Sequence, residues 1–171
     1  MRRLAAPLLL LALASGCKRK PQDPQAVITE QASPLVSVVM VSDPGATAQL
    51  VKGFYPLEAN AWRWTMQKFE VALHPPAGAA DKGATLNLRF TIPAAIESKT
   101  GPITLSASVN GMTLMPETYD KPGDYVYTRP VPPSALKTDV VTVDFATDKA
   151  VPPTAADARE LALIVVSAGL E

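Results

Sequence analysis

The sequence predicts an all-β domain, an antiparallel β-sandwich of about eight strands spanning residues 35–171. Three observations lead there. Short apolar runs alternate with polar residues at period two, turn signals separate them at intervals of roughly 8 to 20 residues, and no stretch sustains a long helical period. The 17 prolines fall mainly in loops and beside extended runs, where a missing N–H does least damage, which argues against a helical bundle.

Residues 35–41, LVSVVMV, are β-branched and bounded by Pro34 and by Asp43-Pro44-Gly45, so they open the domain as its first strand. The chain is organised around residues 53–65, GFYPLEANAWRWT, which contain both tryptophans, Trp62 and Trp64, on either side of Arg63. In an extended segment Trp62, Trp64 and Met66 share one face while Arg63, Thr65 and Gln67 share the other; one face is core and the other can be polar. Phe69, Val71 and Leu73 then alternate with Lys68, Glu70 and Ala72 until His74-Pro75-Pro76 ends the strand. Residues 77–83 read as a loop. Leu86, Leu88, Phe90 and Ile92 give the cleanest alternation in the chain, closed by Pro93.

Ile103, Leu105, Ala107 and Val109 alternate with Thr104, Ser106 and Ser108 and run into Asn110-Gly111. Both central residues of a type I′ turn need φ > 0, so this pair predicts a hairpin returning through residues 112–115. Lys121-Pro122-Gly123-Asp124 has proline and glycine in the order of a type II turn, leading into residues 125–128. Val141, Val143 and Phe145 alternate with Thr142 and Asp144 in a further half-buried strand. At the end, Thr154 to Asp157 has the spacing of a capping box, whereas residues 161–167, LALIVVS, read as a strand buried on both faces. We expect a helical turn or loop through Glu160 and then a strand. No internal repeat is visible.

Composition bounds the function. With 47% hydrophobic and 19% charged residues the 171-residue chain is globular. The formal charge is zero; without Arg2 and Arg3 the count is 14 basic to 16 acidic, so no basic field exists for nucleic acid. The single cysteine, Cys17, excludes an intramolecular disulfide and a cysteine-based metal cluster.

Residues 1–16, MRRLAAPLLLLALASG, combine two arginines, an apolar run of about 11 residues and small residues. A membrane-spanning helix needs roughly 20, so the segment fits a secretory signal. Ala14-Ser15-Gly16-Cys17 resembles the lipobox of bacterial lipoproteins, with Ala14 in place of the commoner leucine, which stands one position earlier as Leu13. That resemblance implies cleavage before Cys17, a diacylglyceryl group on its sulfur and a chain held to the cell envelope; Lys18 after the cysteine implies outer-membrane sorting. More than one acyl chain gives a stable anchor. Residues 17–34 are then the lipidated terminus and a Pro-rich tether, and 17 residues reach up to about 50 Å when extended. Lys18, Arg19 and Lys20 lie where lipid phosphates attract them.

Reactive groups are sparse. His74 is the only histidine and lies in His-Pro-Pro at a strand end, a loop context. No P-loop, GxGxxG or GxSxG occurs, and no pair of carboxylates stands out as a glycosidase acid pair. Asp43 and Asp81 sit in turn-like contexts without an EF-hand pattern, so they read as solvated turn residues. A non-catalytic protein without metal or cofactor is expected.

The remaining constellation is Tyr55, Glu58, Trp62, Arg63 and Trp64, with Asp157 and Arg159 in the far segment. Aromatic faces stack on sugar C–H faces, and hydroxyls need paired donors and acceptors. The same residues also admit a structural reading: tryptophans plugging the core, and Arg63 paired with Asp157 or Glu58 across the sandwich. The order Phe54-Tyr55-Pro56-Leu57-Glu58, Trp62-Arg63-Trp64, alternating strands and Asp157-Ala158-Arg159-Glu160-Leu161 resembles bacterial jelly-roll domains of the galactose-binding or carbohydrate-binding-module type, over residues 53–171. Where such domains usually have glycine near the last leucine, this chain has Ala162 and Leu163. The resemblance implies a jelly-roll sandwich binding a saccharide or envelope glycan through the seven residues of that constellation. A second expectation is an assembly lipoprotein whose sheet edge, or the loop at Val131-Pro132-Pro133, meets a protein partner.

Overall fold

A computed structural model describes residues 35–171. Cys17, the lipobox and the tether lie outside the described residues.

The described chain forms ten strands. They are β1 (Val38–Met40), β2 (Leu50–Phe54), β3 (Arg63–Leu73), β4 (Ala84–Ile92), β5 (Ile103–Val109), β6 (Met112–Thr113), β7 (Glu117–Tyr119), β8 (Gly123–Val131), β9 (Val141–Thr147) and β10 (Ile164–Leu170). Two short helices, α1 (Ala79–Lys82) and α2 (Ala94–Thr100), fill connections. Every pairing is antiparallel. One sheet runs β1-β10-β4-β8, and the other runs β2-β3-β9-β5 with β6 and β7 along the outer side of β5. From β3 onward the long strands β3, β4, β5, β8, β9 and β10 alternate between the sheets, the winding of a jelly roll. The expected antiparallel sandwich is therefore the observed one, with short β6 and β7 raising the strand count.

Period-two patterning explains the core. Leu86, Leu88, Phe90 and Ile92 of β4 face Ile103, Leu105, Ala107 and Val109 of β5 and Val141, Val143 and Phe145 of β9, all buried. Phe69 stacks on Phe145 with centroids 5.1 Å apart, and Phe54 meets Phe69 edge-on at 5.4 Å. Strand β10 lies between β1 and β4, and most of its residues are buried, as its unbroken apolar run requires.

The sheets are stitched together where β3 begins. Arg63 and Trp64 pair with Val165 and Ile164 of β10, after which β3 turns into the other sheet. Thr65 sits fully buried at this corner; its N–H donates to the Leu163 carbonyl (2.9 Å) and its carbonyl accepts the Ala162 N–H (3.0 Å). Its hydroxyl also lies within reach of the Leu163 backbone. A β-branched residue with a hydroxyl supplies shape and hydrogen-bonding capacity where a purely apolar one would leave a polar seam.

Several expectations are corrected. The first strand is shorter than residues 35–41, because Asp43 N–H bonds the Met40 carbonyl and starts a 3-10 turn at Pro44–Ala48. The last strand begins at Ile164 and runs to Leu170: Leu161 bridges Val151 instead, and the Leu163 carbonyl is taken by Thr65. Thr154 and Asp157 do close a turn, with Asp157 N–H donating to the Thr154 hydroxyl (3.1 Å), but no helix follows. Gly123 has φ 155° and already belongs to β8, so Lys121 to Asp124 is not a type II turn. Strand β8 continues through Pro130, tolerated because β8 is an edge. Asn110 and Gly111 have φ 47° and 81°, the predicted type I′ hairpin, returning only through Met112–Thr113. Helix α2 buries Ile96 alone, too little for a helical period to show in the sequence.

Candidate functional site

The site is built on the hairpin that joins β2 to β3. Phe54 pairs with Thr65, Tyr55 N–H donates to the Trp64 carbonyl (2.9 Å), and Glu58 bridges Trp62. Between them Ala59 and Asn60 have φ 49° and 54°, and Ala61 N–H closes the turn on the Glu58 carbonyl at 3.0 Å. Asparagine adopts that conformation readily; alanine pays about 1–2 kcal/mol for it. Ala59→Gly is expected to relieve this cost and stabilise by about 0.5 kcal/mol after the added freedom of the unfolded chain is subtracted; a lower melting temperature would contradict the turn geometry.

Register decides which side chains share a face. Thr65 and Phe69 point into the core, so Trp64 and Met66 point outward, and the directly opposed pairs put Tyr55 beside Trp64 and Glu58 beside Trp62. The core face of this stretch is therefore the one carrying Thr65. Both indoles are half-buried: Trp64 leans against the rim of the core, and Trp62 lies beside the turn.

The far segment arrives over this face. Arg159 donates from Nη1 to Glu58 Oε1 (2.6 Å) and from Nη2 to Asp157 Oδ2 (2.9 Å), while its Nε lies 3.0 Å from Asp157 Oδ1. The Arg159 backbone N–H also donates to Asp157 Oδ1 at 3.0 Å, and the guanidinium carbon stands 5.5 Å from the Tyr55 ring centroid. Hydrogen bonds from Arg159 hold the Asp157 carboxyl below its ordinary range, and the two carboxylates push the guanidinium pKa up. All three side chains are partly exposed, so their mutual pairing contributes little stability in water. The segment is held in place from behind: Glu160 accepts the Gln67 N–H at 2.7 Å, and Val151 and Leu161 bond reciprocally at 2.8 and 2.9 Å.

Of the seven residues singled out by sequence, Tyr55, Glu58, Asp157 and Arg159 are in contact, with Trp62 and Trp64 on the same hairpin face. Arg63 points the other way. Its Nε donates to the Val41 carbonyl (3.1 Å) and its Nη1 to the Tyr55 carbonyl (3.2 Å), so it ties β1 to the hairpin rather than pairing with Asp157 or Glu58. Arg159 takes both carboxylates instead. We expect Arg63→Ala to cost about 2 kcal/mol through the two abandoned carbonyls; an unchanged melting temperature would mean that water replaces the guanidinium there.

The cluster retains binding capacity. Each terminal nitrogen of Arg159 has an N–H left over, and Glu58 Oε2 and the outer lone pairs of Asp157 remain free among the described residues. Donors and acceptors thus stand side by side next to aromatic faces, with one net negative charge. His74 is exposed at the end of β3, and Asp43 caps its own turn by accepting the Gly45 N–H at 2.8 Å. Among the described residues no group of three His, Cys, Asp or Glu side chains is gathered to hold a metal ion, and no helix is long and apolar enough to cross a membrane. Sequence reasoning missed a dip of about 270 Å³ on the outer face of the second sheet, where Ala146 leaves space between Lys68 and Ser106.

No protein-family model and no curated protein sequence matches the chain. Among solved structures, it is similar to a carbohydrate-binding module, CBM36, in complex with calcium and xylotriose, with a TM-score of 0.42 and 11% identity over 80% of this chain and 100% of that one. It is also similar to the CBM36-1 domain of a multidomain xylanase from the hindgut metagenome of Trinervitermes trinervoides, with a TM-score of 0.41 and 10% identity over 78% and 94% of the two chains.

Proposed function

We propose that this protein is a lipid-anchored, non-catalytic envelope protein that binds a neutral saccharide on the outward face of the β2–β3 hairpin. The observation that carries this reading is the Glu58–Arg159–Asp157 cluster set against Tyr55, with Trp62 and Trp64 on the same hairpin face. A sugar ring presents an apolar face to an aromatic side chain and hydroxyls that each need a donor and an acceptor; the residual N–H groups of Arg159 and the oxygens of Glu58 and Asp157 supply both. The net negative charge disfavours acidic glycans. Anchoring rests on the lipobox-like Ala14-Ser15-Gly16-Cys17, and the tether then holds the sandwich off the bilayer.

Calorimetric titration of the mature protein with cello-, xylo-, manno- and chito-oligosaccharides tests the binding. One of these series should bind, and Trp62→Ala should weaken it at least tenfold. Absence of binding across the panel would remove the reading. For the anchor, incorporation of labelled palmitate that disappears in Cys17→Ser is expected.

A further inference from the structure

Sheet edges invite other strands, and three of the four here are guarded. Strand β8 carries Pro130 and Arg129, β2 is broken by register shifts around Lys52 and Gly53, and β6 and β7 are only two and three residues long. Strand β1 is as short as β7, but its edge carries no proline, charge or register shift. Val36, Val38 and Met40 are 48%, 40% and 46% exposed, and neither a proline nor a charge interrupts them.

Its register leaves specific backbone groups open. Ser37 accepts from Leu170 N–H and Val41 donates to the Val166 carbonyl, so residues 37, 39 and 41 face β10 and residues 36, 38 and 40 face away. On that outer side Val36 is already used, its N–H and carbonyl both held by the Gln49 amide, and the Met40 carbonyl accepts the Asp43 N–H. The Val38 N–H, the Val38 carbonyl and the Met40 N–H have no partner among the described residues. They open into a slot of about 340 Å³ whose near wall is Val36, Val38 and Met40 and whose far wall is Asp43, Ala46 and Gln49. The Asp43 carboxylate stands in that wall without an ion-pair partner among the described residues.

We propose that this slot takes an extended peptide segment of a partner protein, which adds to β1 as a strand, lays apolar side chains over Val38 and Met40, and sets a lysine or arginine beside Asp43. An added strand would lie about 4.8 Å from β1, on the side where the recess between β1 and the 3-10 turn opens. One partner residue bonding Val38 reciprocally and one further carbonyl for Met40 satisfy all three open groups, and Asp43 selects for positive charge.

The test uses the full chain and the peptide acetyl-Lys-Val-Thr-Val-Thr-Val-amide, with a variant bearing Glu in place of Lys. Expected are saturable binding, slowed exchange of the Val38 and Met40 amide protons, and at least fivefold weaker binding of the Glu peptide. Val38→Pro deletes an N–H that the fold does not use, so it should retain the melting temperature to within a few degrees and weaken binding at least tenfold. Asp43→Asn keeps the turn cap and should abolish the preference between the two peptides. No binding at millimolar peptide, binding undiminished in Val38→Pro while the amides still exchange freely, or a dimer that Val38→Pro disperses would each overturn the proposal. These outcomes are independent of the saccharide titration, which addresses the β2–β3 hairpin.

Discussion

Replacing Gln49 with leucine is expected to destabilise the protein by about 3 kcal/mol, lowering its melting temperature by roughly 10 °C. Gln49 is almost fully buried, and its side-chain amide is completely used. Its carbonyl oxygen accepts the Val36 N–H at 3.0 Å, and its nitrogen donates to the carbonyls of Val36 (3.0 Å) and Ala72 (2.7 Å). The backbone adds another link, since Ala72 N–H donates to the Gln49 carbonyl at 2.8 Å. One side chain thus joins the lead-in to β1 with the end of β3, in opposite sheets. Leucine matches the volume but removes three hydrogen bonds and strands two backbone groups, the Val36 N–H and the Ala72 carbonyl, since the Val36 carbonyl still accepts the His74 N–H at 3.2 Å; each lost hydrogen bond costs about 1 kcal/mol net, and an orphaned buried group costs more. Gln49→Glu should be destabilising as well, because a carboxylate cannot donate to the two carbonyls. Denaturant unfolding of the three proteins decides it, and a loss below about 1 kcal/mol for leucine would show that the clamp is not formed.

Gly53→Ala should have an effect of the same order, about 3 kcal/mol or more. Gly53 has φ 75°, and a Cβ there would lie 2.1 Å from the Lys68 carbonyl oxygen and 2.7 Å from the Phe69 Cα. The left-handed conformation alone costs about 1–2 kcal/mol for alanine, and the collision is with backbone of the neighbouring strand, which cannot move without shifting β3. The glycine lies at the register shift where β2 bulges against β3, just before the hairpin. The substitution should therefore disturb the Tyr55 face as well as stability. Wild-type stability in Gly53→Ala would contradict this register.

The sandwich was legible because its strands are half-buried: alternation in β4, β5 and β9 names the core directly, and Asn110-Gly111 names a hairpin. Residues 53–65 were harder. The alternation of Phe69, Val71 and Leu73, extended backwards, reaches Thr65 and places the tryptophans outside, but a buried threonine directly after Trp64 reads locally as the reverse. Glu58, Asp157 and Arg159 were recognisable as a polar set, whereas the choice of Arg159 over Arg63 as their partner depends on strand register across about a hundred residues. Gln49 left no signal at all, since its partners are backbone groups 13 and 23 residues away. The β1 edge was visible as an apolar run; its open groups follow only from its pairing with β10.

The most direct measurement of the saccharide reading uses the indoles themselves, because Trp62 and Trp64 are the only two in the chain and both lie on the proposed binding face. Tryptophan emission is followed while a binding oligosaccharide is titrated in. The account predicts a saturable shift in emission and protection from acrylamide quenching, both weakened at least tenfold in Trp62→Ala. Saccharide binding seen by calorimetry with no change in emission, and undiminished in Trp62→Ala, would contradict it.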